Sequence, residues 1–314
     1  HRGPDDQGII EIVSHPWTIG LAHQRLSILD LSQAGYQPMK LENGNSWIVY
    51  NGEVYNYLEI KAELSHLGHS FNSNSDTEVI LKAIHQWGID ISLNKFNGMW
   101  AFAYFDSKIK KLFLCRDRFG IKPLHYYIDK EQCIFSSELK TILETSNKKF
   151  SLNYQIVGEY LAQSLIETSN STYFHEILKI PQGHYGVIDV KKDKLDISLT
   201  PYWIIPDKCP DINLNHLVER VRELFIDSVR IRLRSDVPLG ILLSGGIDSS
   251  AIASTAHHIL GQNSELNLLS AVSKDPIFNE SPFIDVMCNY LGMSSKKVFL
   301  DFSAEEAFHY LKKL

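Results

Sequence analysis

The run Ser244-Gly245-Gly246-Ile247-Asp248-Ser249-Ser250 follows the apolar stretch Val237 to Leu243 and leads into a helix-like stretch, Ser249 to Leu260. A strand that passes through such a turn into a helix places two glycines where backbone must come close to a ligand. It also leaves free N–H groups and hydroxyls at a helix N-terminus, which together make an anion site. The lysine of a G-x-x-x-x-G-K-[ST] loop is missing, which argues against ordinary γ-phosphate transfer. The plainer alternative is a glycine turn in which Asp248 and Ser249 cap the helix. Other chemistry-bearing residues stand far upstream, and each has a plain reading when taken alone. Arg25 is then a surface cation, Asn51-Gly52 between Trp47 to Tyr50 and Glu53 to Tyr55 is a hairpin signal, and Asp76 ahead of Glu78 is a helix cap. His257 and His258 are adjacent, so they cannot share one helix face and read as surface or packing residues.

These residues need elements to hold them. From Trp17 to about Asp189 short runs rich in aromatic and β-branched residues predict strands, among them Trp47 to Tyr50, Ala101 to Phe105 and Lys111 to Cys115. Asp106-Ser107-Lys108 reads as the hairpin tip between the last two. Apolar residues recurring at three and four predict helices at Tyr57 to Leu67 and Asp76 to Trp87, so this part is an α+β domain. The stretch 191–215 turns polar and collects Pro201, Pro206 and Pro210, which suit a linker. After it come a helix at Leu217 to Leu233, a buried strand at Val237 to Leu243 and the helix from Ser249. A strand at Leu266 to Val272, a helix at Ser281 to Leu291, a strand at Lys297 to Leu300 and a helix-like Ala304 to Leu311 complete the chain. Alternation of this kind predicts a parallel, doubly wound sheet.

The six residues Ser244 to Ser249 resemble the SGGxDS signature of ATP pyrophosphatases, which cleave ATP between the α and β phosphates and leave an adenylated carboxylate. Upstream, four segments in order are similar to the class II glutaminase domain of the glutamine-hydrolysing asparagine synthetase family. They are His1-Arg2-Gly3-Pro4-Asp5, His23-Gln24-Arg25-Leu26-Ser27-Ile28, Asn51-Gly52-Glu53-Val54-Tyr55-Asn56 and Ser75-Asp76-Thr77-Glu78. Arg116 to Leu124 and Ser136 to Lys140 extend the match, and Tyr202-Trp203 resembles a landmark between the family's domains. The resemblance implies an Ntn-type αββα sandwich over residues 1–190, the linker 191–215, and the first part of an α/β parallel-sheet ATP pyrophosphatase domain over 216–314.

By the same resemblance Arg25 grips the α-carboxylate of glutamine, while Glu53 and Asp76 neutralise its α-ammonium group. The Asn51 side chain and the Gly52 N–H form the oxyanion hole, where one such donor is worth about 3 kcal/mol. Leu243, Ser244, Gly245, Gly246, Asp248, Ser249 and Val272 are the implied ATP positions, with Leu243 and Val272 near adenine and Asp248 taking part in Mg2+ binding. Leu243 and Val272 read equally as core residues. Arg116 to Pro123 receives no catalytic role, and Asn279-Glu280-Ser281 stands where the family often has an acidic pair, a mild departure.

The family's nucleophile is an N-terminal cysteine, whereas the first cysteine here is Cys115, inside a predicted strand. The chain opens at His1 without a methionine and stops just after a helix-like stretch, so both ends read as cut and the fragment is expected to be inactive. The expected parent makes asparagine from aspartate, glutamine and ATP. One rival amidates another carboxylate, on a surface sugar or a peptide, and a second is a non-catalytic glutaminase-fold remnant. A formal charge of -6, from 31 basic and 37 acidic residues, leaves no cation excess for nucleic acid. Cys115, Cys133, Cys209 and Cys288 are spaced too widely for a zinc ribbon or a compact disulfide framework and read as reduced thiols. No apolar run of about 20 residues spans a bilayer, so the expectation is a cytoplasmic protein. The oligomeric state is not legible, and a homodimer is open.

Overall fold

The computed structural model describes residues 2–42, 44–166, 168–206, 214–261, 266–300 and 303–311. The chain divides into two compact units, His1–Cys209 and Pro210–Leu314.

In the first unit, β1 (Asp6–Ser14) and β2 (Trp17–Arg25) pair antiparallel across a two-residue turn, with Ser14 opposite Trp17. Then come β3 (Met39–Lys40), β4 (Ser46–Val54), α1 (Tyr57–His66), α2 (Asp76–Lys95), β5 (Gly98–Asp106) and β6 (Lys111–Arg116). β7 (His125–Ile128), β8 (Cys133–Ser136), α3 (Leu139–Thr145), α4 (Tyr154–Gln163), β9 (Leu178–Lys179), β10 (His184–Asp189) and β11 (Ser198–Pro201) complete it. Six strands form an antiparallel sheet in the order β11-β10-β6-β5-β4-β3.

The period of two along β5 sorts that sheet's faces. Trp100, Phe102 and Tyr104 join Ile48, Tyr50 and Val54 against Ile60 and Leu64 of α1 and Val79, Ile80 and Ile84 of α2. Ala101, Ala103 and Phe105 join Val49, Leu112 and Leu114 on the other face, against Ile19 and Leu21 of β2 and Tyr126 of β7. The far side of the β8-β7-β9 sheet buries Tyr127 with Ile142 of α3 and Ile177. The layers are thus helix, sheet, sheet, helix, the αββα sandwich expected for this part.

The second unit contains α5 (Leu214–Arg232), β12 (Gly240–Leu242), α6 (Ile247–Leu260), β13 (Asn267–Val272), α7 (Ser281–Leu291), β14 (Ser295–Phe299) and α8 (Ala304–Leu311). Its strands run parallel in the order β12-β13-β14, and Leu243, Ala253, Ala256, Leu268, Val272 and Ile284 form the core. The sheet is parallel, as expected.

Four expectations change. β12 is an edge strand with Leu242 77% exposed, so the run from Val237 is not a buried strand as a whole; only Leu243 at its end is sunk in the core. Part of the stretch read as linker is β11, because Ser198 to Pro201 pairs with β10. Asn51-Gly52 is not a hairpin tip: β4 runs straight through it, paired with β5 from Ser46↔Asp106 to Val54↔Gly98. α2 extends beyond Trp87 to Lys95 across a break at Gly88, whose φ of 78° suits a residue without Cβ. Cys115, Cys133 and Cys288 are free thiols, and Cys209 lies outside the described residues.

Candidate active site

Between the two sheet layers of the first unit, the six-stranded sheet on one side and β1-β2 with β8-β7-β9 on the other, lies a cleft of about 1310 Å³ whose wall includes Arg25, Asn51, Gly52, Glu53 and Asp76. The structure therefore brings together all five residues expected to handle glutamine. β4 supplies three of them. Asn51 and Glu53 share the strand parity of Val49, whose face looks toward the second sheet, and Tyr50 and Val54 pack toward the helices. Gly52 is required where it stands, since a Cβ there would lie 2.2 Å from the Met99 carbonyl oxygen and 2.8 Å from Trp100 Cα.

Asp76 reaches the same place from α2. It does not cap the helix, because Ser75 does so by accepting a hydrogen bond from the Thr77 N–H. Instead Asp76 Oδ2 accepts from the Tyr50 hydroxyl at 2.8 Å and from the Val54 N–H at 2.9 Å, which pins the start of α2 to the end of β4. Burial pushes the Asp76 carboxyl up despite these donors. The Glu53 carboxyl accepts no hydrogen bond among the described residues. Burial, then the neighbouring Asp76 charge, raises its carboxyl well above the carboxylate range, with the Lys122 ammonium opposing. Two carboxyls in such a position share their titration, and neither forms an ion pair among the described residues.

Arg25 is 6% exposed and is not a surface cation. Its guanidinium donates to the carbonyls of Leu29 at 3.2 Å and Ser32 at 3.0 Å and to that of Asp30. A guanidinium has five N–H donors, so part of the fork remains for a ligand in the cleft. Gly35 leaves it room: a Cβ there would meet an Arg25 nitrogen at 2.0 Å.

Sequence reasoning missed several wall residues. The Asn51 side-chain amide donates to Ser137 Oγ at 3.3 Å, and Arg2 pairs with Glu138 across the rim. His23 Nε2 lies 3.0 Å from the Tyr50 carbonyl, its Nδ1 has no hydrogen-bond partner among the described residues, and burial lowers its pKa, so the ring is neutral. Lys122 enters from the Arg116 to Leu124 segment. These residues lie in segments that carried the resemblance but were given no role there, and nothing in the spacing of Ser137 points to Asn51, 86 positions away.

In the second unit, Gly245 has φ of 76°, and a Cβ there would lie 2.6 Å from Phe283 Cβ. The Ser249 hydroxyl accepts from the Ser244 N–H at 3.2 Å and donates to the Gly246 carbonyl at 3.2 Å, while Ser244 Oγ lies 3.0 Å from Ser249 Oγ. Gly246 is the N-cap and no side chain caps α6, so the capping role considered for Asp248 and Ser249 is absent and the first-turn N–H groups stay open. Leu243 and Val272 have their side chains in the core. His257 and His258 end α6, and no cluster of three or more metal-ligating side chains occurs among the described residues. Tyr202 and Trp203 act as an anchor, the Tyr202 hydroxyl donating to the Arg116 carbonyl at 2.9 Å and Trp203 packing edge-on against Phe119.

A cleft walled by a buried acid pair and an anchored guanidinium lies between the layers of this αββα sandwich. A family model described as a glutamine amidotransferase domain matches residues 1–203, and one described as asparagine synthase matches 220–314. The chain therefore belongs to the family that joins a glutamine amidotransferase domain to an asparagine synthase domain. A Methanocaldococcus jannaschii relative, named among the glutamine-hydrolysing asparagine synthetases, is 40% identical over 92% of this chain and 58% of its own length. Asparagine synthetase [glutamine-hydrolyzing] 1 of Bacillus subtilis is 36% identical over 82% of this chain and 39% of its own. Amidase chry2 of Gibberella zeae is 34% identical over 85% and 38% respectively. The chain thus spans between about two fifths and three fifths of these relatives. A glutamine phosphoribosylpyrophosphate amidotransferase from B. subtilis aligns with TM-score 0.43 and 14% identity over 89% of this chain and 66% of that one, too distant to carry an argument.

Proposed function

We propose that the whole protein is an ATP-dependent, glutamine-hydrolysing ligase that turns aspartate into asparagine, and that residues 1–314 hold its glutamine pocket and its pyrophosphate loop. The observation that carries this reading is the Glu53 and Asp76 pair, with no ion pair among the described residues and set beside Asn51 and Gly52 in the cleft. An α-amino acid answers each deficit. Its ammonium neutralises the pair, its carboxylate takes the remaining Arg25 donors, and its side-chain amide lies toward Asn51 and Gly52, whose N–H groups stabilise an oxyanion. Released ammonia then attacks an acyl adenylate, which must be shielded from water.

The open N–H groups of Ile247 and Asp248 and the Ser244 and Ser249 hydroxyls suit a departing pyrophosphate. Mg2+ commonly takes one or two carboxylates plus phosphate oxygens, a donor set that Asp248 fits as the acidic residue of the first turn of α6. The metal would neutralise phosphate charge there. Any contact of Leu243 or Val272 with adenine is through backbone, because both side chains are in the core.

The relative named as an amidase favours a second reading, amidation of a carboxylate other than aspartate. ATP–pyrophosphate exchange by the full-length protein separates them. Exchange that requires aspartate supports asparagine formation; exchange without aspartate, or only with another acid, rejects it.

A further inference from the structure

The three carbonyls that hold the Arg25 guanidinium, those of Leu29, Asp30 and Ser32, belong to one turn, so the aim of the guanidinium depends on what fixes that turn. Asp30 stands at its centre, buried and in the left-handed region with φ of 54°. Its carboxylate works in two directions. Oδ1 accepts from the Ser32 N–H at 3.1 Å and from the Ser32 hydroxyl, which closes the turn. Oδ2 accepts from the Asn74 N–H at 2.7 Å, which ties the turn to backbone 44 positions along the chain, just ahead of α2. That second segment has anchors of its own. The N–H groups of Asn72 and Ser73 and the Ser73 hydroxyl donate to Glu78, while Asp76 is pinned to Tyr50 and Val54. The cleft wall includes Leu29, Arg25 and Asp76 but not Asp30.

We propose that Asp30 is a positioning residue of the glutamine pocket, whose carboxylate fixes the 29–32 turn to the backbone ahead of α2 and so aims the Arg25 guanidinium at the ligand's α-carboxylate. This rests on the glutamine-site reading above. Because Asp30 does not line the cleft, it acts through the carbonyls that Arg25 binds. Without its carboxylate the 72–76 segment keeps the bonds to Glu78, Tyr50 and Val54, so the half of the pocket that meets the α-ammonium stays in place. The turn loses both its closure and its tether, and the guanidinium loses its fixed direction. The effect therefore falls on recognition of the α-carboxylate. Asp30→Asn keeps the size of the side chain and suits a positive φ as aspartate does, but its single amide oxygen serves Ser32 or Asn74 and not both. Asp30→Gly keeps the backbone conformation and removes both contacts.

The test is calorimetry on residues 1–314 at one pH with L-glutamine and with its α-amide, in which a neutral carboxamide replaces the α-carboxylate, for wild type, Asp30→Asn and Asp30→Gly. Wild type is expected to favour glutamine over the amide by about tenfold or more. In both variants glutamine affinity should fall about tenfold while amide affinity stays within about twofold of wild type, so the preference collapses. A merely structural aspartate would weaken both ligands by the same factor. That outcome, or an unchanged glutamine affinity, overturns the proposal while leaving the glutamine site intact. If wild type binds no glutamine, or binds the two ligands equally, the glutamine-site reading fails and this inference fails with it.

Discussion

Glu53 and Asp76 are carboxyls that the fold prefers to keep protonated, since burial, above all, raises both. A group whose folded pKa lies above its unfolded value binds more protons in the folded state between the two values. Folding is then favoured as pH falls from above the raised value toward the ordinary carboxylate range, and the benefit is lost as pH rises through the raised value. The ligand-free protein should therefore lose stability on the alkaline side while gaining affinity for glutamine there. Glu53→Gln, which cannot ionise, is expected to melt about 2–4 °C higher than wild type at pH 8, about 1 kcal/mol, to show a flatter dependence of Tm on pH, and to bind glutamine poorly. Thermal melts from pH 5.5 to 8.5 decide it: parallel Tm curves for the two proteins would mean that the pair is not stored strain awaiting a cation. At this scale the sequence was mute about geometry. Twenty-two positions separate Val54 from Asp76 along the chain, and no spacing rule joins them. Only the shared motif order did so, which is why Tyr50, Ser137 and Lys122, outside any role the motifs suggest, went unassigned.

Elements were legible where one physical signal dominated. β4, β5 and β6 carry aromatic and β-branched runs, and α7 and α8 fall at Ser281 to Leu291 and Ala304 to Leu311 as their apolar periodicity requires. β12 misled because an apolar run reads as buried whether or not a neighbour covers it, and β11 was hidden because proline and polar residues at a sheet edge look like a linker. Asn51-Gly52 shows the same ambiguity resolved by packing: turn chemistry favours a hairpin, but the close backbone of β5 demands glycine within a strand. The pyrophosphate loop was the best-marked element, and its glycine can be tested directly. Gly245→Ala adds a Cβ at φ 76° and 2.6 Å from Phe283 Cβ, so the loop must shift against α7. The expected cost is about 1–3 kcal/mol locally, with the first unit unaffected and MgATP binding lost. MgATP titration of the full-length variant beside hydrogen exchange on α6 and α7 reads both; wild-type MgATP affinity in this variant would remove the loop from the ATP site.

At the scale of the whole molecule, the volume of the cleft is the informative quantity. Drug-sized ligands occupy pockets of roughly 300–1,000 Å³, whereas the cleft measures about 1310 Å³ and glutamine is smaller than most drugs. The cleft wall includes Gly20, Ala22, Ala101 and Ala103, small residues of β2 and β5, and a Cβ at Gly20 would meet nothing within 4 Å. The resemblance implies a cysteine nucleophile for the proposed glutaminase step. Cys115 is fully buried with its thiol pushed far up by burial, and Cys133, on the cleft wall, is pushed up to about 12 by the same cause, so neither supplies a thiolate near neutral pH. We propose that the nucleophile is not supplied by Cys115 or Cys133. Residues 1–314 alone should release no ammonia from glutamine. The full-length protein, assayed beside it, should release ammonia from glutamine. Cys133→Ser should leave that activity in place. Ammonia release by residues 1–314, abolished by Cys133→Ser, would instead place the nucleophile on β8.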